Sequence, residues 1–90
     1  MNHQAHIHID ASGLLCPMPL LRLKQAVAGA KPGDVISITV TDEHAELDFA
    51  TWCERFGHAL TKTEDDGAVM VFCVTVVTRS ETPDPNKGVR

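Results

Sequence analysis

From His6 to Asp10 apolar and polar residues alternate, with Ile7 and Ile9 on one face and His6, His8 and Asp10 on the other. A period of two is that of a half-buried strand. Between Pro17 and Ala30 the spacing changes: Leu20, Leu23, Val27 and Ala30 recur three and four apart, while Arg22, Lys24 and Gln25 form a polar side. That pattern predicts an amphipathic helix. Lys31-Pro32-Gly33-Asp34 ends it with a proline that cannot continue a helix and a glycine suited to a turn. Val35 to Thr41 alternates again, Ile36, Ile38 and Val40 against Ser37, Thr39 and Thr41, and predicts a second strand. Helical spacing returns from Ala45 to Leu60, where Phe49, Trp52, Cys53, Phe56 and Leu60 share a face and Glu46, Asp48, Glu54 and Arg55 lie off it. Gly57 either ends this helix or lies inside it. A short strand candidate follows at Leu60 to Glu64, then an Asp65-Asp66-Gly67 turn into a strand from Ala68 to Val77, a hairpin signature.

A strand, a helix and a second strand form a unit whose strands are parallel. The last strand is apolar on both sides, Met70, Phe72, Val74 and Val76 against Val69, Val71, Cys73 and Val77. Two helices cover one face of a four-stranded sheet, so its second stripe either lies under the chain ends or awaits a partner. A single domain over residues 6–78 accounts for all the periodic sequence. The segment 79–90, with Pro83, Pro85 and Gly88 among charges, has no period and reads as a flexible tail.

Composition narrows the function more than the fold. Twelve acidic residues against eight basic give a formal charge of −4, which opposes direct binding to a nucleic-acid backbone and favours a protein partner. With three Phe, one Trp and no Tyr, the stacking platform of a nucleotide or single-strand binder is missing. No apolar run is long enough to span a bilayer and the first residues lack a signal-peptide pattern, so a cytoplasmic chain without membrane contact is expected. The three cysteines have no CxxC spacing and fit neither a disulfide framework nor a zinc ribbon, so they are expected as free thiols.

The chemistry concentrates in Gly13-Leu14-Leu15-Cys16-Pro17-Met18-Pro19. Two prolines one residue apart fit only the first turn of a helix, where backbone N–H groups have no helical partner. With Pro17 at the first helical position, Cys16 becomes the N-cap, its sulfur beside free amides and the positive end of the dipole. That setting is expected to lower the thiol below its ordinary pKa of about 8.5 and make Cys16 a nucleophile at neutral pH. Ser, Asp or Thr would cap better than Cys, which weighs against a merely structural role. No neighbouring cysteine offers a local disulfide, so a lone nucleophile suits carrying a group.

The segment resembles the TusA/SirA family of small sulfur-carrier proteins, whose hallmark is a CPxP motif after a first strand. The resemblance spans approximately Ile9 to Val76 and rests on Cys16-Pro17-Met18-Pro19, Asp10 and Gly13 ahead of it, the Lys31-Pro32-Gly33-Asp34 turn, Asp42, and Asp48, Cys53 and His58. Where the family usually has proline after the aspartate aligned with Asp42, this chain has Glu43. The resemblance implies a βαβαββ two-layer α/β (α+β) sandwich, a four-stranded mixed sheet with two helices on one face. It also implies that Cys16 accepts sulfane sulfur as a persulfide and relays it, acting with partner enzymes rather than alone. Pro17, Pro19, Gly13 and Asp10 would support the motif, and Leu14, Leu15, Met18 and Arg22 are the neighbours expected at the docking surface. The implied partners are a cysteine desulfurase or other sulfur donor and a downstream acceptor, in tRNA thiolation, molybdenum-cofactor work or sulfur oxidation. No cofactor is required.

The alternative is a redox-sensing regulatory or interaction module that transfers no sulfur. Cys53 reads as a small hydrophobe on the core face of its helix, and Cys73 as strand packing. His58 either touches the motif or caps the second helix as a cation. His3, His6, His8 and Asp10 suggest a metal, but alternate strand side chains stand about 7 Å apart, too far to share one ion, and no metal is expected. Cys16 with Met18 gives two soft ligands for Cu(I) and no third. The open sheet stripe allows a monomer or a weak dimer.

Overall fold

The alternating segments become strands because a sheet can bury one of their faces, and the three-and-four-spaced segments become the helices that bury it. In the computed structural model, which describes residues 6–77, the order is β1 (His6–Ala11), α1 (Met18–Ala28), β2 (Val35–Val40), α2 (Ala45–Phe56), β3 (Ala59–Asp65) and β4 (Met70–Thr75). His3, Thr78 and the segment 79–90 lie outside the described residues. The sheet runs β1-β2-β4-β3, with β1 parallel to β2 and both other pairings antiparallel. This is the expected βαβαββ arrangement, a mixed sheet under two helices.

Register places the apolar positions in rows. Ile7, Ile36, Val74 and Leu60 form one, and Ile9, Ile38, Phe72 and Lys62 the next. Leu23 and Val27 of α1 and Phe49, Trp52 and Cys53 of α2 close over these rows, and Phe49 meets Phe72 edge to face at 5.4 Å between ring centroids. Lys62, at the edge of the second row, bonds Glu46 of α2 and Asp65 through its Nζ at 3.2 and 2.8 Å. Central β4 explains its two apolar faces: Met70, Phe72 and Val74 enter the core, while Val71 and Cys73 lie half-buried on the opposite side beside Thr39 and Ser37.

One boundary differs from the pattern reading, and one that it left open is decided. The first helical hydrogen bond runs from the Leu21 N–H to the Pro17 carbonyl at 3.1 Å, so Pro17 is the N-cap of α1, Pro19 stands at the second helical position, and Cys16 lies one residue further out. Helix α2 stops at Phe56, because Gly57 takes φ 84° and turns the chain. The Gly57 and His58 N–H groups then both bond the Cys53 carbonyl, and Leu60 leaves the helix for β3, opposite Val74. His58 is not a cationic cap. It is 6% exposed, its Nδ1 accepts the Val77 N–H at 3.2 Å, and its ring lies 5.2 Å from Trp52. Burial lowers its pKa and favours the neutral ring.

Candidate functional site

Because β1 and β2 are parallel, their C-terminal ends lie side by side, and the loops that leave them meet at one edge of the sheet. The first loop carries the cysteine motif and is pinned at each step. Asp10 Oδ1 accepts both the N–H and the hydroxyl of Ser12, which holds the Asp10 carboxyl below its usual range. Gly13 takes φ 82° and donates its N–H to Thr41 Oγ1 at 2.9 Å. The Cys16 N–H bonds Asp42 Oδ2 at 2.7 Å, and the Cys16–Pro17 peptide is cis. Asp42 also receives the His44 N–H at 3.1 Å, so one buried carboxylate ties the cysteine loop to the loop that opens α2. Its pKa is lowered, first by the His44 N–H and then by that of Cys16.

Cys16 is exposed, and its Sγ donates to Asp48 Oδ2 at 3.2 Å. Asp48 stands in the first turn of α2, so the sulfur lies where the N-terminal ends of both helices meet. Two opposed influences act there. Helix ends carry roughly half a charge each and favour thiolate, whereas a carboxylate at hydrogen-bond distance carries a full charge and favours the thiol. The bond to Asp48 raises the Cys16 pKa above its ordinary value, with desolvation and the charges of Asp48 and Asp42 acting in the same direction. The expected N-cap setting is therefore corrected: Cys16 is not the cap, and the facing carboxylate pushes its pKa up rather than down.

The residues expected around the sulfur are not equally presented. Leu15 and Met18 are 71% and 41% exposed and Arg22 is also exposed, whereas Leu14 is half-buried against the core. Pro19 is fully buried and packs the start of α1 down, while Pro17 is exposed. Pattern reading passed over Asp48 as a bonding partner, treating it as a polar position of helix two. It also passed over Leu47, 69% exposed beside it. The available signal was that Leu47 is an apolar residue outside the stripe of Phe49, Trp52, Cys53 and Phe56. From Asp48 a groove of about 530 Å³ runs between the helices, bordered by Lys24, Leu47, Trp52 and Arg55.

The other candidates separate from the motif. Cys53 is buried, and desolvation pushes its thiol up to about 11. His8 faces the open side of the sheet, where its ring nitrogens bond Ser37 Oγ at 2.7 Å and Thr39 Oγ1 at 3.1 Å. Among the described residues no helix is long and apolar enough to cross a membrane.

A two-layer α+β sandwich with one exposed cysteine at the joint of two helix ends is the class this structure defines. The crystal structure of the SirA-like protein from Desulfitobacterium hafniense has the same fold, with a TM-score of 0.70 and 27% sequence identity over 80% of this chain and 99% of that one. A sequence model of the family described as Sulfurtransferase TusA matches residues 7–76, and the chain belongs to that family. A Neisseria meningitidis relative is 38% identical over 73% of this chain and 89% of its own length. The sulfur carrier protein TusA of Allochromatium vinosum is 32% identical over 73% of this chain and 87% of its own.

Proposed function

We propose that this protein is a sulfur carrier in which Cys16 accepts a sulfane sulfur as a persulfide from a donor protein and passes it to an acceptor protein. The observation that carries the reading is that Cys16, in the CPxP loop of a chain of this family, is the exposed thiol, while Cys53 is buried and Cys73 half-buried. Its backbone is fixed by Asp42 and its sulfur stands clear of the sheet, a geometry that lets a second protein's sulfur approach without moving the fold. A donor such as a cysteine desulfurase fits this chemistry, since its product is a protein persulfide. Cytoplasmic placement accords with that donor and with free thiols. The redox-module alternative has no observation in its favour, because no second thiol bonds Cys16.

Intact-mass measurement after incubation with a cysteine desulfurase and cysteine, or with polysulfide, tests the reading. Wild type and Cys53→Ser are expected to gain one sulfur atom, and Cys16→Ser none. Uptake that survives in Cys16→Ser, or fails in wild type with both sources, overturns it.

A further inference from the structure

The thiol that the proposed relay needs as a nucleophile is bonded to a carboxylate that disfavours its ionisation, and the surroundings supply no remedy. Asp48 forms no ion pair with a basic side chain among the described residues, although Lys24 of α1 and Arg55 of α2 border the same groove. The charges that act on the sulfur are Asp48 from α2 and Asp42 from the preceding loop, both acidic. Exposed Leu15 and Met18 flank Cys16 along the chain, and exposed Leu47 precedes Asp48 and borders the groove with it. Asp48 with this apolar rim is complementary to a protein surface that carries a cation within an apolar patch.

Resting on the carrier reading above, we propose that Asp48 keeps Cys16 a neutral thiol while the protein is free, and that a lysine or arginine of the docking partner, placed against Asp48, releases the thiolate for transfer. Covering the apolar rim removes water from the acid, and the attraction between Asp48 and the partner's cation strengthens as the local dielectric falls. Asp48 then accepts from the partner's cation rather than from Sγ, and the Sγ proton leaves to bulk solvent as the partner docks, before the rim is closed. The thiolate attacks the outer sulfur of the donor's persulfide. A new Sγ–S bond forms, the donor's S–S bond breaks, and the donor cysteine leaves as thiolate. One sulfane sulfur changes hands and no outside oxidant or reductant takes part. Free carrier is thus protected from adventitious oxidation and alkylation, because the thiolate is the reactive form.

Two readouts on the full chain test this. Iodoacetamide uptake at Cys16, followed by peptide mass mapping across a pH series, is expected to shift its midpoint to lower pH in Asp48→Asn, with severalfold faster labelling at neutral pH. An unchanged profile in Asp48→Asn, and equally in Asp48→Ser with the fold confirmed by circular dichroism, overturns the proposal whatever sulfur loading shows. Loading is then compared between a cationic donor, cysteamine persulfide, and an anionic one, glutathione persulfide. Wild type is expected to prefer the cation and Asp48→Asn to lose that preference; a preference unchanged in Asp48→Asn overturns the role of the partner's cation. A shifted alkylation profile with no loading from either donor overturns the carrier reading and leaves the Asp48 guard standing.

Discussion

Asp42 shows how much one side chain does at this site. Its two oxygens hold the N–H groups of Cys16 and His44, so it joins the motif loop to the entry of α2 across 26 residues of sequence. Asp42→Ala leaves both amides without an acceptor in a buried place. Hydrogen exchange of the Cys16 amide is expected to accelerate by roughly tenfold or more while amides of β4 keep their protection, because loss of a bond to a charged acceptor opens the loop locally. Equal acceleration in β4 would mean that Asp42 supports the whole fold. Glu43 is exposed and enters none of these contacts.

At the scale of elements, the end of α2 is the most demanding junction. Gly57 at φ 84° reverses the chain so that His58 is buried and Leu60 reaches β3 within three residues. A Cβ in that left-handed conformation costs about 1–2 kcal/mol, so Gly57→Ala is expected to lower stability by about that amount in urea denaturation. Sulfur loading of Cys16 should persist, because the junction lies at the opposite end of α2 from Asp48. A neutral substitution would show that the cap is relieved by a shift of the helix end. The hairpin at the other end of β3 is held by its own acids: Asp66 Oδ1 accepts the Ala68 and Val69 N–H groups at 2.9 and 2.8 Å.

For the whole molecule, buried His58 links stability to pH. An unfolded histidine takes up its proton near 6.5, and burial lowers that value in the folded state. Above 6.5 both states are neutral and His58 adds no slope. As pH falls below it the unfolded chain binds the proton first, so stability declines until the folded pKa is passed. Urea midpoints measured from neutral pH to about pH 5 are expected to fall for wild type and to stay nearly flat for His58→Gln. Parallel slopes in the two proteins would refute the assignment. Asp10, Asp42, Asp65 and Asp66 have lowered pKa values and act in a separate window, below their ordinary 3.8. The formal charge of −4 acts over longer range and steers the carrier toward basic surfaces, the kind of surface that the Asp48 proposal requires.

The sequence by itself determined the elements and their order, and it singled out Cys16, on which the proposed relay rests. Strand and helix periods are local, turns announce themselves in Asp65-Asp66-Gly67 and Lys31-Pro32-Gly33-Asp34, and two prolines beside Cys16 leave only a helix start as their place. Tertiary structure decided what the cysteine is. Its thiol faces a carboxylate 32 residues away, brought to 3.2 Å only when α2 docks beside the motif loop, and that carboxylate pushes its pKa up. Helix-start residues read alone gave the opposite sign, because a dipole is encoded by neighbours along the chain whereas a facing charge is encoded by packing. His58 repeats the lesson: local position suggested a charged cap, and burial beside Trp52 lowers its pKa and favours the neutral ring.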